Sequence, residues 1–580
     1  MKMRVRRICW VLYLVLAGLF WGSCAGESPN VNTREPRSDG KGAISLTAPE
    51  TALRVSMALR GIRPTRAELE RIAEDPGELP GLVDTWIKSP QFGDTLRDLH
   101  HAIWKLRSDL SFLPTVGKLY QMGAYIWEVN DAIYEAPLRL VEDLIVNDQP
   151  YTSILSADYL LANDFVATVW EVKEAPDAGV GVPSDGGGSW RRMRWADGRP
   201  SAGILSSSAL FLRYPSNGQN FQRERAKVVA DALLCHDYLD REVPFDGNLD
   251  LSDSDAVAAA VSEDPVCASC HQTLDPLASF FWGFRGFLVV EQITDYPIAW
   301  YTSAHEVLWQ KTTQRPPGFY GDLGGDLSSL GEKIAADPRF ARCTVERFWS
   351  WFNQRPRSEL DFSTREILIQ TFVQSGYSAK ALIKGIVLDT DFHRAEAELD
   401  VLGEDIRGYL KVRPDQLVRL FDSLLGFKWR AELEDSVPAG TFGEVDLMRS
   451  EVLGFRSLFG GIDGTYASSA VHTASINSSL VLQQMARHAA ASVVSRVLVK
   501  GEYNSLLSMI EKPWADEDEM RSWLVDLHFK LFAERLESDS EAISRSYGLL
   551  VELEELSGDP TRAWTGLLTA MLRDPRMLYY

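Results

Sequence analysis

Cys267 and Cys270 stand two residues apart, with His271 directly after the second thiol and Gln272-Thr273-Leu274-Asp275-Pro276 following. Two thiols and a histidine at this spacing suit covalent attachment of a c-type haem: the cysteines form thioethers to the haem vinyl groups, and His271 is the proximal iron ligand. One haem c per chain implies redox chemistry. Two other uses of a CxxC pair fit less well. A structural zinc takes four ligands, and no second CxxC occurs in the sequence. A thioredoxin-like pair belongs to a βαβ context that the neighbouring residues lack.

Haem c is attached outside the cytoplasm, which makes the N-terminus informative. Lys2, Arg4, Arg6 and Arg7 precede an apolar run from Ile8 to Trp21 and then Gly22-Ser23-Cys24, the layout of an export signal over 1–23 whose apolar core is too short to span a bilayer. Cys24 after two small residues resembles a bacterial lipoprotein acceptor, although Trp21 stands where leucine is usual. Ala25 and Gly26 after it, rather than aspartate, resemble an outer-membrane destination. The residues around Arg6-Arg7 lack the pattern of a twin-arginine signal, which leaves general secretion. The expectation is an exported protein, periplasmic or attached to the outer membrane by a lipid anchor, with the c-type haem maturation machinery as an obligate partner.

At 580 residues the chain has room for three or four domain-sized units, and 45% hydrophobic with 24% charged residues is ordinary globular composition. The net charge of −21 becomes −25 without residues 1–23. Such a surface argues against nucleic acid as a partner and for solubility or a basic redox partner. Of six cysteines, Cys9 leaves with the signal, Cys24 is the lipid acceptor, and Cys267 and Cys270 take haem. Cys235 and Cys343 flank the motif in a compartment that oxidises thiols, and are expected to form a disulfide; the alternative is two separate buried thiols.

A polar, flexible tether over 24–46 leads into strongly helical periodicity. Thr65 and Glu68 form a capping box. The sequence divides into an N-terminal helical domain (47–160), a mixed or helical linker domain (161–260), a haem module with following helices (261–400) and a C-terminal helical domain (401–580). Four stretches share one design: Leu82 to Phe92, Leu330 to Phe340, Leu382 to Phe392 and Leu567 to Met577 each read as an amphipathic helix stopped by Ser or Asp, usually Pro, then a Phe or Met folding back on the core. Three of them follow a polar turn with Arg60, Arg355 or Arg535. The fold class is therefore mainly α, a multi-part helical protein with reused helix-turn-helix blocks around a small c-type haem module. Gly179 to Ser189 reads as a loop without P-loop chemistry, and Gly460 to Gly464 as a turn rather than a calcium site.

Gly203-Ile204-Leu205, Arg225, Leu234-Cys235, the CxxCH with Asp275-Pro276, and Asp337-Pro338-Arg339-Phe340-Ala341-Arg342-Cys343 resemble the uncharacterised cytochrome-c-domain proteins of planctomycetes and myxobacteria. Pro64 to Trp104 is similar to the helical companion domain of that group. Leu277-Ala278-Ser279-Phe280-Phe281-Trp282 departs from the Leu-Gly-Phe that usually follows Asp-Pro there. The resemblance implies a secreted haem protein and supplies no reaction.

No methionine occurs between Met193 and Met448, so the sixth iron ligand of a small electron-transfer cytochrome is missing locally. His305 is the first candidate for it, with His236, Met193 and Met122 in reserve; an open five-coordinate iron is the other outcome. Phe280, Phe281, Trp282, Phe284, Phe287, Trp300 and Tyr301 are expected to wall the haem in low dielectric; plain helical core is the other reading, and the two are compatible. Asp275-Pro276 is expected to turn the chain beneath the haem, with a backbone carbonyl orienting the imidazole. Three functions follow: electron transfer with an unknown redox partner, a haem peroxidase or oxidase with an open sixth site, or a surface lipoprotein that binds or scaffolds a partner with the haem ancillary.

Overall fold

Thr47 and Thr65 open the first two helices in the same way. In the computed structural model each hydroxyl accepts the backbone N–H of the glutamate three residues on, and that glutamate accepts from the threonine's own N–H. The helices are α1 (Ala48–Arg60) and α2 (Arg66–Glu74). The structure describes residues 43–108, 113–177, 187–218, 220–240, 253–396, 409–432, 443–463, 467–508, 510 and 514–580. The chain divides into two units, Met1–Ala43 and Ile44–Tyr580. The export signal, Cys24, nearly all of the 24–46 tether and most of the Gly179 to Ser189 loop lie outside the described residues.

Within the second unit α3 (Leu79–Trp86) and α4 (Pro90–Trp104) follow, and α5 (Ile126–Val146) lies along α4. A small antiparallel sheet comes next: β1 (Leu160–Ala162), β2 (Val172–Glu174) and β3 (Arg191–Trp195), with β3 central and Met193 paired to Leu160 on one side and Glu174 on the other. Gly203 opens a 3-10 turn at φ 55°, and a Cβ there would lie 2.0 Å from the Ile154 carbonyl, so only glycine lets this turn press on its neighbour. Then come α6 (Ser208–Arg213) and α7 (Arg223–Leu234). Arg225 is fully buried without a carboxylate; it donates to the carbonyls of Phe211, Tyr214, Arg285 and Gly286, and burial pushes it down to about 9. These bonds tie α6 and α7 to the stretch after the CxxCH helix.

That helix is α9 (Pro265–Ala278), preceded by α8 (Ser254–Glu263) and packed along α7. The chain continues through α10 (Leu327–Ala336), α11 (Pro338–Asn353), α12 (Phe362–Gln374) and α13 (Ala379–Val387). The C-terminal helices are α14 (Pro414–Leu425), α15 (Ile476–Val494), α16 (Glu517–Phe532), α17 (Glu541–Ser557) and α18 (Pro560–Leu572), with α18 packed on both α15 and α17. The protein is mainly α, with few and short strands.

The four repeated stretches do more than stop helices. Asp337 closes α10 and at once caps α11, accepting from the N–H of Arg339 at 2.8 Å, with Pro338 supplying the first helical residue. Asp574 treats Arg576 and Pro575 in the same way at 2.9 Å. In both, the arginine folds back to grip the same aspartate through Nε and Nη2. The residue at the fourth position, Phe92, Phe340, Phe392 or Met577, is buried every time. The proline thus starts the next helix, because the N–H it lacks is one that a first turn leaves unpaired anyway.

Two devices hold these elements together. Cys235, at the end of α7, is bonded to Cys343 in α11, with Cα atoms 5.3 Å apart. Arg107, just beyond α4, reaches Asp98 of α4 at 2.7 Å, Glu135 of α5 at 2.5 Å and Asp415 of α14 at 3.2 Å. Arg456 completes Asp415 at 2.9 Å, and Arg419 completes Asp98 at 2.5 Å. Burial alone would raise Asp415, but the Arg456 and Arg107 guanidiniums outweigh it and hold the carboxyl far below its usual range. Glu135 is likewise held far below, its burial outweighed by Arg107, Arg449 and Arg97.

Two outcomes follow. Cross-linking across 108 residues restricts the unfolded chain, so the Cys235→Ser/Cys343→Ser variant should lose about 2–5 kcal/mol in guanidinium unfolding. Because Asp415 and Glu135 have folded values below their unfolded ones, the unfolded state takes up more protons in acid; their stabilisation is full above about pH 4 and drains away below it. Asp415→Asn should flatten the fall of the guanidinium midpoint between pH 5 and pH 3 relative to wild type.

Candidate haem-attachment site

Asp264 caps α9, accepting the N–H groups of Val266 at 2.8 Å and Cys267 at 3.1 Å, and Pro265 occupies the first helical position. Within one straight helix Cys267, Cys270, His271 and Leu274 are spaced i, i+3, i+4 and i+7, so all four share a face. The half of α9 that bears the motif is part-exposed, whereas Leu274, Asp275, Leu277 and Ala278 are buried. Both motif thiols are reduced. Burial, with the Asp264 carboxylate beside it, pushes the Cys267 thiol up, which keeps it protonated.

His271 is oriented from behind. Its Nδ1 lies 2.9 Å from Asp275 Oδ1, one helical turn on, and since a carboxylate only accepts, Nδ1 carries the proton. Asp275 is in turn gripped by Arg223 at the start of α7, Nε to Oδ1 at 2.7 Å and Nη2 to Oδ2 at 3.0 Å. Burial alone would raise Asp275; the hydrogen bonds from His271 and Arg223 outweigh it and hold the carboxyl below its ordinary value. This leaves His271 Nε2 as the ring's free lone pair, the arrangement that a carboxylate-backed metal histidine requires.

The geometry corrects two expectations. Asp275 and Pro276 do not turn the chain: both lie inside α9, which runs on to Ala278 and a 3-10 turn at Ser279–Phe281. Pro276 has no N–H to give the Gln272 carbonyl, so α9 forgoes that hydrogen bond two residues before it ends. The imidazole is oriented by the Asp275 carboxylate rather than by a backbone carbonyl. That partner was readable as a His/Asp pair four apart, but Arg223, 52 residues upstream, carried no local signal.

The flanking residues sort into groups. Tyr238 Oη donates to Thr273 Oγ1 at 3.3 Å, and Thr273 donates to the Cys270 carbonyl at 3.1 Å. Edge-on to Tyr238, with centroids 4.5 Å apart, is His236, whose ring also meets Tyr320 at 5.8 Å; Arg339 lies over Tyr320 at 4.0 Å. The segments around Cys235, the CxxCH and Asp337 therefore converge on one side of α9. His305 stands exposed on the 3-10 turn Ser303–His305, and among the described residues no hydrogen bond or ring contact joins it to α9. Met193 is buried in the β-sheet and Met122 is exposed beside Thr168.

Much of the aromatic run packs into the core. Phe281 and Phe284 pack on Phe211 at 5.2 and 4.3 Å, Phe284 meets Tyr301 at 5.0 Å, and Trp300 meets Trp170 at 5.9 Å. Phe287 is exposed. None of these rings has a ring contact with His271.

The donor set fits a c-type haem: two reduced, part-exposed thiols and a histidine with Nε2 free share one face of a helix. Among the described residues no group of three or more His, Cys, Asp or Glu side chains is arranged to hold a metal ion directly, whereas a haem iron draws only one or two ligands from the protein. No family model, curated protein or solved structure matches the chain. Asp275→Ala would strand the Arg223 guanidinium and release His271. It should cost about 2–4 kcal/mol in denaturant unfolding of the haem-free chain, against less than about 1 kcal/mol for Gln272→Ala on the exposed face.

Proposed function

We propose that this protein is an exported monohaem c-type cytochrome-like protein that passes electrons to or from a redox partner. The reading rests on one observation: Cys267, Cys270 and His271 share a face of α9, and the Asp275–Arg223 pair fixes the imidazole with Nε2 available. Cys267 and Cys270 would hold the haem as thioethers, and His271 would be its proximal ligand. A bound haem c supplies one-electron chemistry. Asp275 fixes the tautomer and the orientation of the His271 ring, as a ligand histidine requires. Part-exposure of the motif end of α9 brings the attachment side within reach of a partner, and the net charge of −21 suits a basic one. The Lys2 to Cys24 segment supports export and attachment of Cys24 to the outer membrane. The resemblance to planctomycete and myxobacterial cytochrome-c-domain proteins points the same way.

A second reading, a haem peroxidase or oxidase with an open sixth site, is favoured by the exposed position of His305 away from α9. His236, in ring contact with the tyrosines that pack near Cys270, favours the six-coordinate alternative. Protein matured in a host with c-type haem assembly separates them by its optical spectrum. A low-spin ferrous form that ignores carbon monoxide supports electron transfer. A high-spin form that shifts with carbon monoxide moves the enzyme reading to first place. Covalent haem should vanish in Cys267→Ala/Cys270→Ala; absence of covalent haem from the wild type would sink both readings.

A further inference from the structure

A second site lies apart from the CxxCH helix and is independent of the haem reading. A cavity of about 420 Å³ opens where the end of α4, the end of α11, the start of α14 and residues 460–462 and 468–472 meet. That size suits a small molecule. Its charge runs against the rest of the protein: six cations line it in a chain of net charge −21, and only two carboxylates, Asp98 and Asp415, share the wall. Both carboxylates are engaged, Asp98 by Arg107 and Arg419, and Asp415 by Arg107 and Arg456.

Two of the six cations are spoken for, Arg347 by Asp231 at 2.8 Å and Arg456 by Asp415. The other four have no carboxylate partner among the described residues. Lys411 is 3% exposed and donates only to the carbonyls of Phe459 at 2.6 Å and Val471 at 3.1 Å. Arg413 stacks on Trp351 at 3.8 Å, donates Nη2 to the Trp351 carbonyl, and keeps Nη1 buried without a partner. Arg355, which is exposed, and the part-exposed Arg357 lie beyond the end of α11 and make no side-chain hydrogen bond or ion pair among the described residues.

A buried neutral donor adds to them. His101 is 2% exposed and lines the same cavity; its Nδ1 accepts the Arg107 N–H at 3.2 Å, so the ring proton sits on Nε2, which has no hydrogen-bond partner. Burial, then the Arg456 and Arg107 charges, push His101 well down, which keeps it neutral. Burial also pushes Lys411 down to about 8. Unpaired donors and cations held out of water are costly unless something anionic completes them. The remaining wall is apolar, with Leu99, Ile103, Trp351 and Ile462.

We infer that this cavity is a binding site for a small organic phosphate, whose head group is held by Lys411, Arg413, Arg355 and Arg357 and whose apolar body lies against Trp351 and Ile462. The arginine forks match phosphate oxygens, and Lys411 adds a point charge. A dianion answers four unpaired cations better than a monoanion does. The cavity draws its wall from helices before and after the CxxCH helix, so an occupied site also clamps the two ends of the chain together.

Isothermal titration of the full-length protein at neutral pH with phenyl phosphate, inorganic phosphate and benzoate tests this. Phenyl phosphate should bind at one site, inorganic phosphate more weakly, and benzoate at least tenfold more weakly. Arg355→Ala/Arg357→Ala removes two side chains that make no hydrogen bond or ion pair among the described residues, so its thermal midpoint without ligand should equal that of wild type while its affinity for phenyl phosphate falls at least tenfold. Lys411→Met should lose binding further; if it does not fold, the double arginine variant still decides. Binding of phenyl phosphate unchanged in the double variant, benzoate binding as tightly as phenyl phosphate, or no heat from any of the three would overturn the assignment.

Discussion

Arg107 is the point at which the two ends of the chain become one body. Its guanidinium is 8% exposed and meets carboxylates from α4, α5 and α14, elements separated by some three hundred residues. Taking one carboxylate from a buried ion pair costs about 3–5 kcal/mol, because the charge left behind is uncompensated. The three helices must therefore be seated together or not at all. Asp415 and Asp98 belong to this network and also form the anionic part of the cation-rich cavity wall. Their engagement is what leaves the cavity's field positive.

The CxxCH helix depends on a second, smaller network of the same kind. Arg223, Asp275 and His271 form a chain from the start of α7 into the face that bears the thiols. Asp275, which holds the imidazole, is buried, while Arg223 and the groups on the motif face are part-exposed. Rigidity comes from the core side and reactivity points to the rim, which is how a scaffold holds a ligand histidine without closing access to it.

Local chemistry in the sequence was readable where the physics is local. The Thr65–Glu68 capping box, the helices around Arg225 and Phe340, and the Asp-Pro-Arg segments all follow from contacts within a few residues. Even there the Asp-Pro pairs were half-read: stopping one helix and starting the next use the same residues, and only the caps show both. Asp275-Pro276 misled because Pro usually marks a boundary, yet α9 runs two residues past it. The core partners of the aromatic run were hidden because ring chemistry does not say what a ring faces; Phe211 and Trp170 lie far off in sequence. The cation-rich cavity was not legible at all. Its walls come from four separated segments, and one of them, Gly460 onward, reads only as a turn.

The bond between Cys235 and Cys343 has a topological consequence. It closes 108 residues into a covalent ring, and the whole CxxCH helix lies on that ring. A single proteolytic cut anywhere between the two cysteines opens the ring but frees nothing. Both fragments stay joined through the sulfur bridge, and any group carried by Cys267 and Cys270 stays with the rest of the molecule. The bridge makes retention of the motif independent of the integrity of the peptide chain around it.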